Sequence, residues 1–273
     1  ARDTLLLRPR LIAARDSAVY VYDYGDAAVK VFDKQAQLKW RFGQRGRGPG
    51  EFANPFDIEV GRDGRVWLLD VGAGRITSVS PSGALDRILV LHGKLAASFV
   101  VLNGELLVLT ASLDPFSSRI AEDGRVLATA PSPLPLERIA PFARQTLTAS
   151  TADGRTWAIT FPYGNAVLVY DEMGLRCRGW LVEGGDFPQE LGTDIPIWAA
   201  GVAVTDTSVV VLARGRGDDQ LRLLDHYSLS DCSYQGTDRL PRRMSALAYA
   251  DGVFYLEYED PAPTVIGLRP RRR

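Results

Sequence analysis

The sequence has few of the residues on which metal and acid–base chemistry most often depend. Its 273 residues include two histidines, His92 and His226, and two cysteines, Cys177 and Cys232. Two histidines cannot form a three-histidine zinc site, and neither pair has the short spacing of a zinc or redox motif. The Gly-x-Ser-x-Gly turn of a serine hydrolase is also missing. The sequence therefore excludes a standard zinc lyase and argues against a serine hydrolase.

The chain also lacks an excess of either charge and a long apolar run. It has 32 basic and 33 acidic side chains, which leave a net charge of -1. A general nucleic-acid binder depends on a basic surface that this balance does not provide. The longest apolar stretches, such as residues 195–204, have about half the length needed to cross a bilayer. We expect no nucleic-acid partner, no membrane span and a monomer.

The cysteines leave the redox compartment open. Cys177 and Cys232 are 55 positions apart, and two unrelated thiols are the favoured interpretation, with a disulfide between neighbouring repeats as the alternative. A periplasmic or extracellular location is favoured over the cytoplasm.

What the sequence does have is an internal repeat. Tight-turn residues that precede an apolar run recur at positions 16, 63, 103, 153, 206 and 251. The clearest copies are Asp63-Gly64-Arg65-Val66-Trp67 and Asp153-Gly154-Arg155-Thr156-Trp157. Each turn lies between short runs of β-forming residues, as in a two-residue hairpin, and helical periodicity is not sustained. Units of about 45 residues with four antiparallel strands are typical of β-propeller blades.

These units predict an all-β, six-bladed propeller that forms a single domain over residues 1–273. The last unit supplies three strands, so we expect the segment Thr4–Leu7 to pair as its fourth strand and close the ring, which protects the exposed strand edges. Deletion of residues 1–8 is then expected to destabilise the protein more than deletion of residues 271–273. The expected blades cover residues 10–43, 57–91, 97–131, 145–182, 200–236, and 244–268 with 4–7.

One blade junction resembles a known family. The stretch Gly46-Arg47-Gly48-Pro49-Gly50-Glu51-Phe52, followed by Pro55 and by Asp63 to Asp70 and Arg75-Ile76, resembles the linker and strand pair of NHL repeats. The resemblance implies a bacterial propeller of the NHL-repeat or TolB-like type. It also implies a structural role for Asp70 and Arg75, which close the strand pair in that family.

In a propeller, the loops that connect blades gather on one face, which is the default binding face. The loop 183–198 is acidic, whereas the loops 43–56 and 237–244 are rich in arginine. We expect the arginines to contact an anionic group of a partner and the acidic segment a cationic one. The residues expected to bind a ligand are Arg45, Arg47, Asn54, His92, Tyr163, Asn165, Asp186, Glu190, Trp198, Arg242 and Arg243.

A catalytic alternative comes from the propeller lactonases, which the predicted fold resembles and which hold a divalent cation with oxygen ligands. Such a calcium site would have to be assembled here from Asn54, Asp57, Asn165 and Glu257. The leading interpretation has no metal, cofactor or assigned catalytic residue. It is a non-catalytic propeller that binds a peptide, a protein or a small ligand, and the alternative is a calcium-dependent hydrolase or lyase.

Overall fold

The computed structural model is an all-β, six-bladed propeller built from antiparallel sheets. The structure describes residues 5–91, 96–112, 114–182, 184–189 and 196–269. Three one-turn 3-10 helices are the helical elements of this part of the chain, at Leu136–Arg138, Pro141–Arg144 and Gly217–Asp219. None of them has the length to span a bilayer.

Most strands belong to sheets whose order follows the chain. The first two blades contain β1 (Pro9–Arg15), β2 (Ala18–Asp23), β3 (Ala28–Phe32), β4 (Leu38–Phe42), then the short pair β5 (Gln44–Arg45) and β6 (Glu51–Phe52), and β7 (Pro55–Val60), β8 (Val66–Asp70), β9 (Arg75–Val79) and β10 (Leu85–Val90). The third and fourth contain β11 (Ala96–Val101), β12 (Glu105–Thr110), β13 (Ser117–Ala121), β14 (Val126–Ala130), β15 (Leu147–Ser150), β16 (Thr156–Thr160), β17 (Ala166–Asp171) and β18 (Gly174–Trp180). The last two contain β19 (Ala199–Val204), β20 (Ser208–Ala213), β21 (Leu223–Ser228), β22 (Tyr234–Arg239), β23 (Ala246–Ala250), β24 (Val253–Tyr258) and β25 (Thr264–Leu268).

The burial of the strands follows their place in the sheet. All residues of the middle strands β3, β8 and β9 are buried, whereas the outermost strand β14 is exposed along its whole length. The middle strands are rich in β-branched and aromatic residues, which pack well on a pleated surface covered from both sides. Gly64 and Gly154 turn the chain between strands with φ of 76° and 66°, a region that glycine enters without strain.

The chain divides into two compact units. The first contains residues 1–92 and 244–273, with blades one, two and six. Its packing includes a cluster around Tyr22, Phe52 and Leu68, and a second cluster in which Ile12 and Val21 of blade one meet Ala246 of blade six.

The second unit contains residues 93–243, with blades three to five. The long connector 132–145 contributes to the core of this unit. Leu136 and Ala143 are fully buried beside Phe161. Its length therefore serves packing, because the two 3-10 turns carry apolar side chains inward.

A repeated electrostatic clasp holds the chain as it enters the first two blades. The carboxylate of Asp23 accepts the amides of Leu7 and Arg8, both at 2.7 Å, and pairs with Lys30 Nζ at 2.7 Å. Lys30 Nζ also donates to the Leu5 carbonyl at 2.6 Å. Burial by itself would raise the pKa of Asp23, but the hydrogen bonds from Lys30 and the backbone outweigh it and hold the pKa below its usual value.

Asp70 and Arg75 repeat this clasp in blade two. Asp70 is fully buried and accepts the amides of Ala53 and Asn54 at 2.8 and 2.9 Å. The Arg75 guanidinium donates to the carbonyls of Gly48 and Glu51, both at 2.7 Å. These contacts bear out the structural role expected for the pair.

The expectation that residues 4–7 form the fourth strand of blade six was wrong for the residues that are described, and the clasp gives the reason. The sixth sheet has three strands, and residues 5–7 form bends instead of a strand beside β25. Asp23 of blade one binds the amides of Leu7 and Arg8, and Lys30 binds the carbonyl of Leu5, so these groups are not available for a ladder with blade six. Leu6 still packs against the cluster that joins blades one and six. Thr4 lies outside the described residues.

The expectation of two unrelated thiols was also wrong. Cys177 on β18 and Cys232 in the β21–β22 turn form a disulfide with a Cα–Cα distance of 5.7 Å. A Cβ placed on Gly179 would lie 2.5 Å from the Cys232 carbonyl oxygen. Gly179 therefore lets the two blades approach closely enough for the bond.

Replacement of Lys30 tests how much the clasp contributes to the free energy of unfolding. We expect Lys30→Met to lower the free energy of unfolding by about 3–5 kcal/mol, because it leaves the buried Asp23 carboxylate without its countercharge. Lys34→Met, a matched change at an exposed position, should alter it by less than about 0.5 kcal/mol. Urea denaturation measures both. Equal effects of the two substitutions would contradict the clasp.

Removal of the disulfide tests the link between blades four and five. The bond closes 55 residues of sequence, so the double variant Cys177→Ser with Cys232→Ser should lose about 4 kcal/mol on chain-entropy grounds. Wild-type protein in reductant should match the double variant, and reductant should not change the double variant itself. A wild-type melting temperature that is indifferent to reductant would show that the bond is not formed in solution.

Candidate functional site

The arginines predicted in the first inter-blade loop are engaged with backbone carbonyls. Arg45 donates to the Tyr24 carbonyl at 3.2 Å, and Arg47 donates to the Gly72 carbonyl. Asn54 is exposed, and its backbone N–H donates to Asp70 Oδ1. The structure thus brings these three residues to one connector, where both guanidinium groups tie the loop to neighbouring turns. A ligand role for them stays a prediction.

Tyr163, Asn165, Asp186 and Trp198 come together in the second unit. The Trp198 amide donates to the Pro162 carbonyl at 2.6 Å, and glycines in the loops allow close contact. Asp186 is exposed, and the aromatic side chains of Tyr163 and Trp198 pack against core clusters. This cluster is one candidate surface. The predicted residues His92 and Glu190 lie outside the described residues.

The remaining predicted arginines, Arg242 and Arg243, are exposed in the second unit. Arg243 donates to Gln220 Oε1 at 2.8 Å. Their partnership with the arginines of the first unit stays a prediction.

The structure shows no cluster of acidic ligands around the residues proposed for calcium, within its described ranges. Asp57 Oδ1 accepts the Ile58 amide at 2.9 Å, and the Glu257 side chain has no exposed surface. Asn54 belongs to the first unit and Asn165 to the second. Within the described ranges, no group of three or more His, Cys, Asp or Glu side chains is arranged to hold a metal ion. The calcium alternative stays a prediction.

Glu257 is nevertheless an unusual ionisable residue of the first unit. Its side chain is fully buried, and within the part of the chain that is described neither carboxylate oxygen has a hydrogen-bond partner. Burial raises the pKa of Glu257 to about 7, with a further increase from Glu259 and an opposing effect of Arg10. A carboxyl in such a place is kept neutral over most of the acidic range.

The strand register explains how Glu257 comes to be buried. Asp23, Asp70 and Glu257 each pair with the first residue of the innermost strand of their blade. In blades one and two, this position captures two amides of the incoming chain. In blade six, the amide of Ser245 donates to the backbone carbonyl of Glu257 instead. The longer side chain therefore occupies the clasp position without the partners of a clasp.

The second unit holds a groove that sequence reasoning missed. It has a volume of about 750 Å³ and lies between the outer part of blade three and the β17–β18 hairpin of blade four. We call it the β14 groove, because residues 128–130 of β14 form one wall. Its apolar side chains include Leu107, Leu109, Phe116, Trp157, Ile159 and Tyr170.

One residue of the groove lining has a buried polar atom without a hydrogen-bond partner among the described residues. Trp157 is 8% exposed, its ring stacks on Tyr170 with a centroid distance of 5.8 Å, and its indole Nε1 has no hydrogen-bond partner among the described residues. Burial raises the pKa of Tyr170 to about 12, so its hydroxyl is protonated at neutral pH. At the rim, Arg119 pairs with Glu105 at 2.6 Å, and Met173 is almost fully exposed. The groove is thus a mostly apolar slot, and one of its lining residues has a buried donor without a described partner.

The pH dependence of stability tests the state of Glu257. Its pKa is raised from 4.5 to about 7 on folding, so wild-type stability should fall as the pH rises through this window and level off above it, by up to about 3 kcal/mol. Glu257→Gln should have a clearly shallower slope than the wild type, whatever its pH-independent offset, while Glu59, whose pKa is also raised by burial, keeps part of it. Denaturation midpoints at about pH 4.5 and about pH 8 measure the difference. Glu259→Gln, which keeps the buried carboxyl, is the control and should retain the slope. Parallel profiles for wild type and Glu257→Gln would contradict the raised pKa.

Comparison with known proteins supports the fold. The profile of a family described as "6-bladed beta-propeller" matches residues 1–80. No curated protein sequence matches the chain. Among solved structures, virginiamycin B lyase from Staphylococcus aureus has a TM-score of 0.59 at 12% identity, covering 97% of this chain and 85% of that one. A putative exported protein from Bacteroides fragilis has a TM-score of 0.63 at 11% identity, covering 95% and 82%.

The WD40 repeats of RRP9 are similar to the same degree, with a TM-score of 0.60 at 11% identity and coverage of 92% and 87%. At these identities the likeness concerns the fold, and the neighbours have different functions. The match to NHL-repeat or TolB-like proteins in particular is not among these findings. The chain is a six-bladed β-propeller whose structural neighbours include both a lyase and a repeat domain of the WD40 type.

Proposed function

We propose that this protein is a binding propeller whose ligand occupies the β14 groove. The observation that carries the proposal is an open groove with a mostly apolar lining, one residue of which, Trp157, has a buried indole N–H without a partner among the described residues. A buried donor without an acceptor costs roughly 1–3 kcal/mol, which a ligand with a suitably placed acceptor regains. Groups of this kind call for an explanation such as a ligand or a bound water.

The shape and lining of the groove support a binding role. Its volume of about 750 Å³ is within the range of small-molecule sites, roughly 300–1,000 Å³. Leu107, Phe116 and Ile159 supply apolar surface, whose burial contributes about 25 cal/mol per Å². A ligand that fits has a flat apolar part and a hydrogen-bond acceptor at its edge.

The charges of the groove suit binding better than proton transfer. Glu105 and Arg119 are paired with each other, and Glu172 lies 3.9 Å from Arg155. The calcium-dependent hydrolase or lyase alternative is supported by fold likeness to virginiamycin B lyase rather than by converging ligands. The peptide and protein contacts predicted for the inter-blade loops are a compatible second surface on the same molecule.

A neutral aromatic probe with a carbonyl acceptor tests the groove. We expect coumarin to bind the wild-type protein weakly and Trp157→Phe to weaken that binding about 2- to 10-fold, because phenylalanine keeps the ring but removes one neutral hydrogen bond. Trp180→Phe is the matched control, since Trp180 is half-exposed on β18 and does not line the groove. Ligand-observed NMR titrations give the affinities.

Two results would overturn the proposal: no binding of coumarin to the wild type, or the same affinity for wild type and Trp157→Phe. Melting temperatures of both variants check that each is folded.

A further inference from the structure

We infer that the natural ligand of the β14 groove is an extended peptide that adds to the open edge of β14 as a fifth strand. The inference rests on the proposed function and deepens it, because it names the class of partner. Addition of a strand to a free sheet edge gives affinity through backbone hydrogen bonds and specificity through side-chain pockets.

The edge of β14 is available for such pairing. β14 is the last strand of its sheet in the described part of the chain, and all five of its residues are exposed. Its apolar side chains Val126 and Leu127 are 48% and 40% exposed. An exposed edge of this kind is a template for another strand.

β14 also lacks the charged side chains that protect many sheet edges from pairing. Natural sheets discourage pairing with charged side chains on their edge strands. The outer strands β4, β10, β18 and β22 each carry at least one arginine. The sequence of β14, Val-Leu-Ala-Thr-Ala, has no charge and no proline. The third blade therefore presents an edge strand without a charged residue or a proline, although its register with β13 shifts at Leu127.

The backbone direction can be assigned at one residue. The Phe116 amide donates to the Ala130 carbonyl at 3.0 Å, so Ala130 points its polar groups toward the rest of its own sheet. Because neighbouring residues of a strand point these groups in opposite directions, Thr129 directs its N–H and C=O to the open edge. A peptide strand would pair with this residue.

The edge and the groove are one continuous surface. Ala128, Thr129 and Ala130 belong to the edge strand and also line the groove that contains Trp157. Side chains of an added strand alternate between two faces, so every second one is directed at the groove. One aromatic or large apolar side chain of the peptide fills the groove beside Trp157.

The charge at the rim specifies the flanks of the peptide. The β17–β18 hairpin brings Asp171 and Glu172 to the groove. Arg155 Nε lies 3.9 Å from Glu172 Oε1 in an exposed ion pair. Such a pair is weak, so the rim keeps an acidic character. The geometry thus favours a peptide with an apolar centre between lysines or arginines.

The probe is the capped peptide acetyl-Lys-Thr-Val-Tyr-Val-Thr-Lys-amide, measured by calorimetry. Thr129→Pro removes the outward N–H while the inward ladder stays intact, a position at which edge strands tolerate proline. We expect this change to weaken binding at least 10-fold. Thr129→Ala, which keeps the N–H, should bind like the wild type, and a peptide with N-methyl groups at alternate amides should not bind.

The outcomes separate this inference from the proposed function. Binding of coumarin without binding of the peptide, or equal peptide affinity for Thr129→Pro and wild type, overturns the added strand and leaves the groove site standing. Peptide binding that Thr129→Pro abolishes but Trp157→Phe leaves unchanged supports the strand and contradicts the groove. A dimer that appears in sedimentation of the wild type and is absent for Thr129→Pro would show that a second copy of the chain occupies the edge. This result would overturn the inference of a peptide ligand. Melting temperatures confirm that the variants are folded.

Discussion

Capture of backbone amides by a buried carboxylate is the interaction on which the first two blades depend. A chain that crosses from one blade to the next must leave one ladder before it joins another, and its amides need partners in the interval. Asp23 and Asp70 supply them, and Lys30 and Arg75 bind the nearby carbonyls. Both signs of charge are thereby neutralised inside the protein, which makes the burial of the ions affordable.

The strand position that Asp23 and Asp70 occupy holds other residues in the other blades. Thr110 and Thr160 pair there with the first residues of β11 and β15, and their hydroxyls donate to carbonyls of the following turn. In blade five the position is Ala213, which needs no partner. The charged clasp is thus a feature of the first unit, and the second unit holds its blades with smaller side chains and a disulfide.

Local features could be predicted from the sequence because they depend on few residues. The recurring tight-turn residues predicted the six hairpins, and the resemblance of one blade junction to NHL repeats implied the structural role of Asp70 and Arg75. Contacts between blades could not be predicted in this way. The disulfide needs a register between β18 and the β21–β22 turn, and the binding of the segment 5–8 by Asp23 joins residues about 15 positions apart in the chain.

The groove was missed for a related reason. Trp67 and Trp157 occupy equivalent places in two copies of one motif, and Arg65 lies over the ring of Trp67 with its central carbon 5.3 Å from the centroid. Nothing in the motif shows that the indole N–H of Trp157 is left without an acceptor. One signal was available in the sequence, since the outer strand of blade three has no charged residue.

Glu257 couples the folding of this chain to the protons around it. In the unfolded chain its carboxyl is ionised at neutral pH, whereas in the folded protein its pKa lies near 7. Folding near neutrality therefore draws a fraction of a proton from the solvent onto this side chain. The heat released on folding then includes a contribution from the buffer that gives up the proton. The compartment in which the protein folds thus acts on it through acidity as well as through the oxidation of its two cysteines.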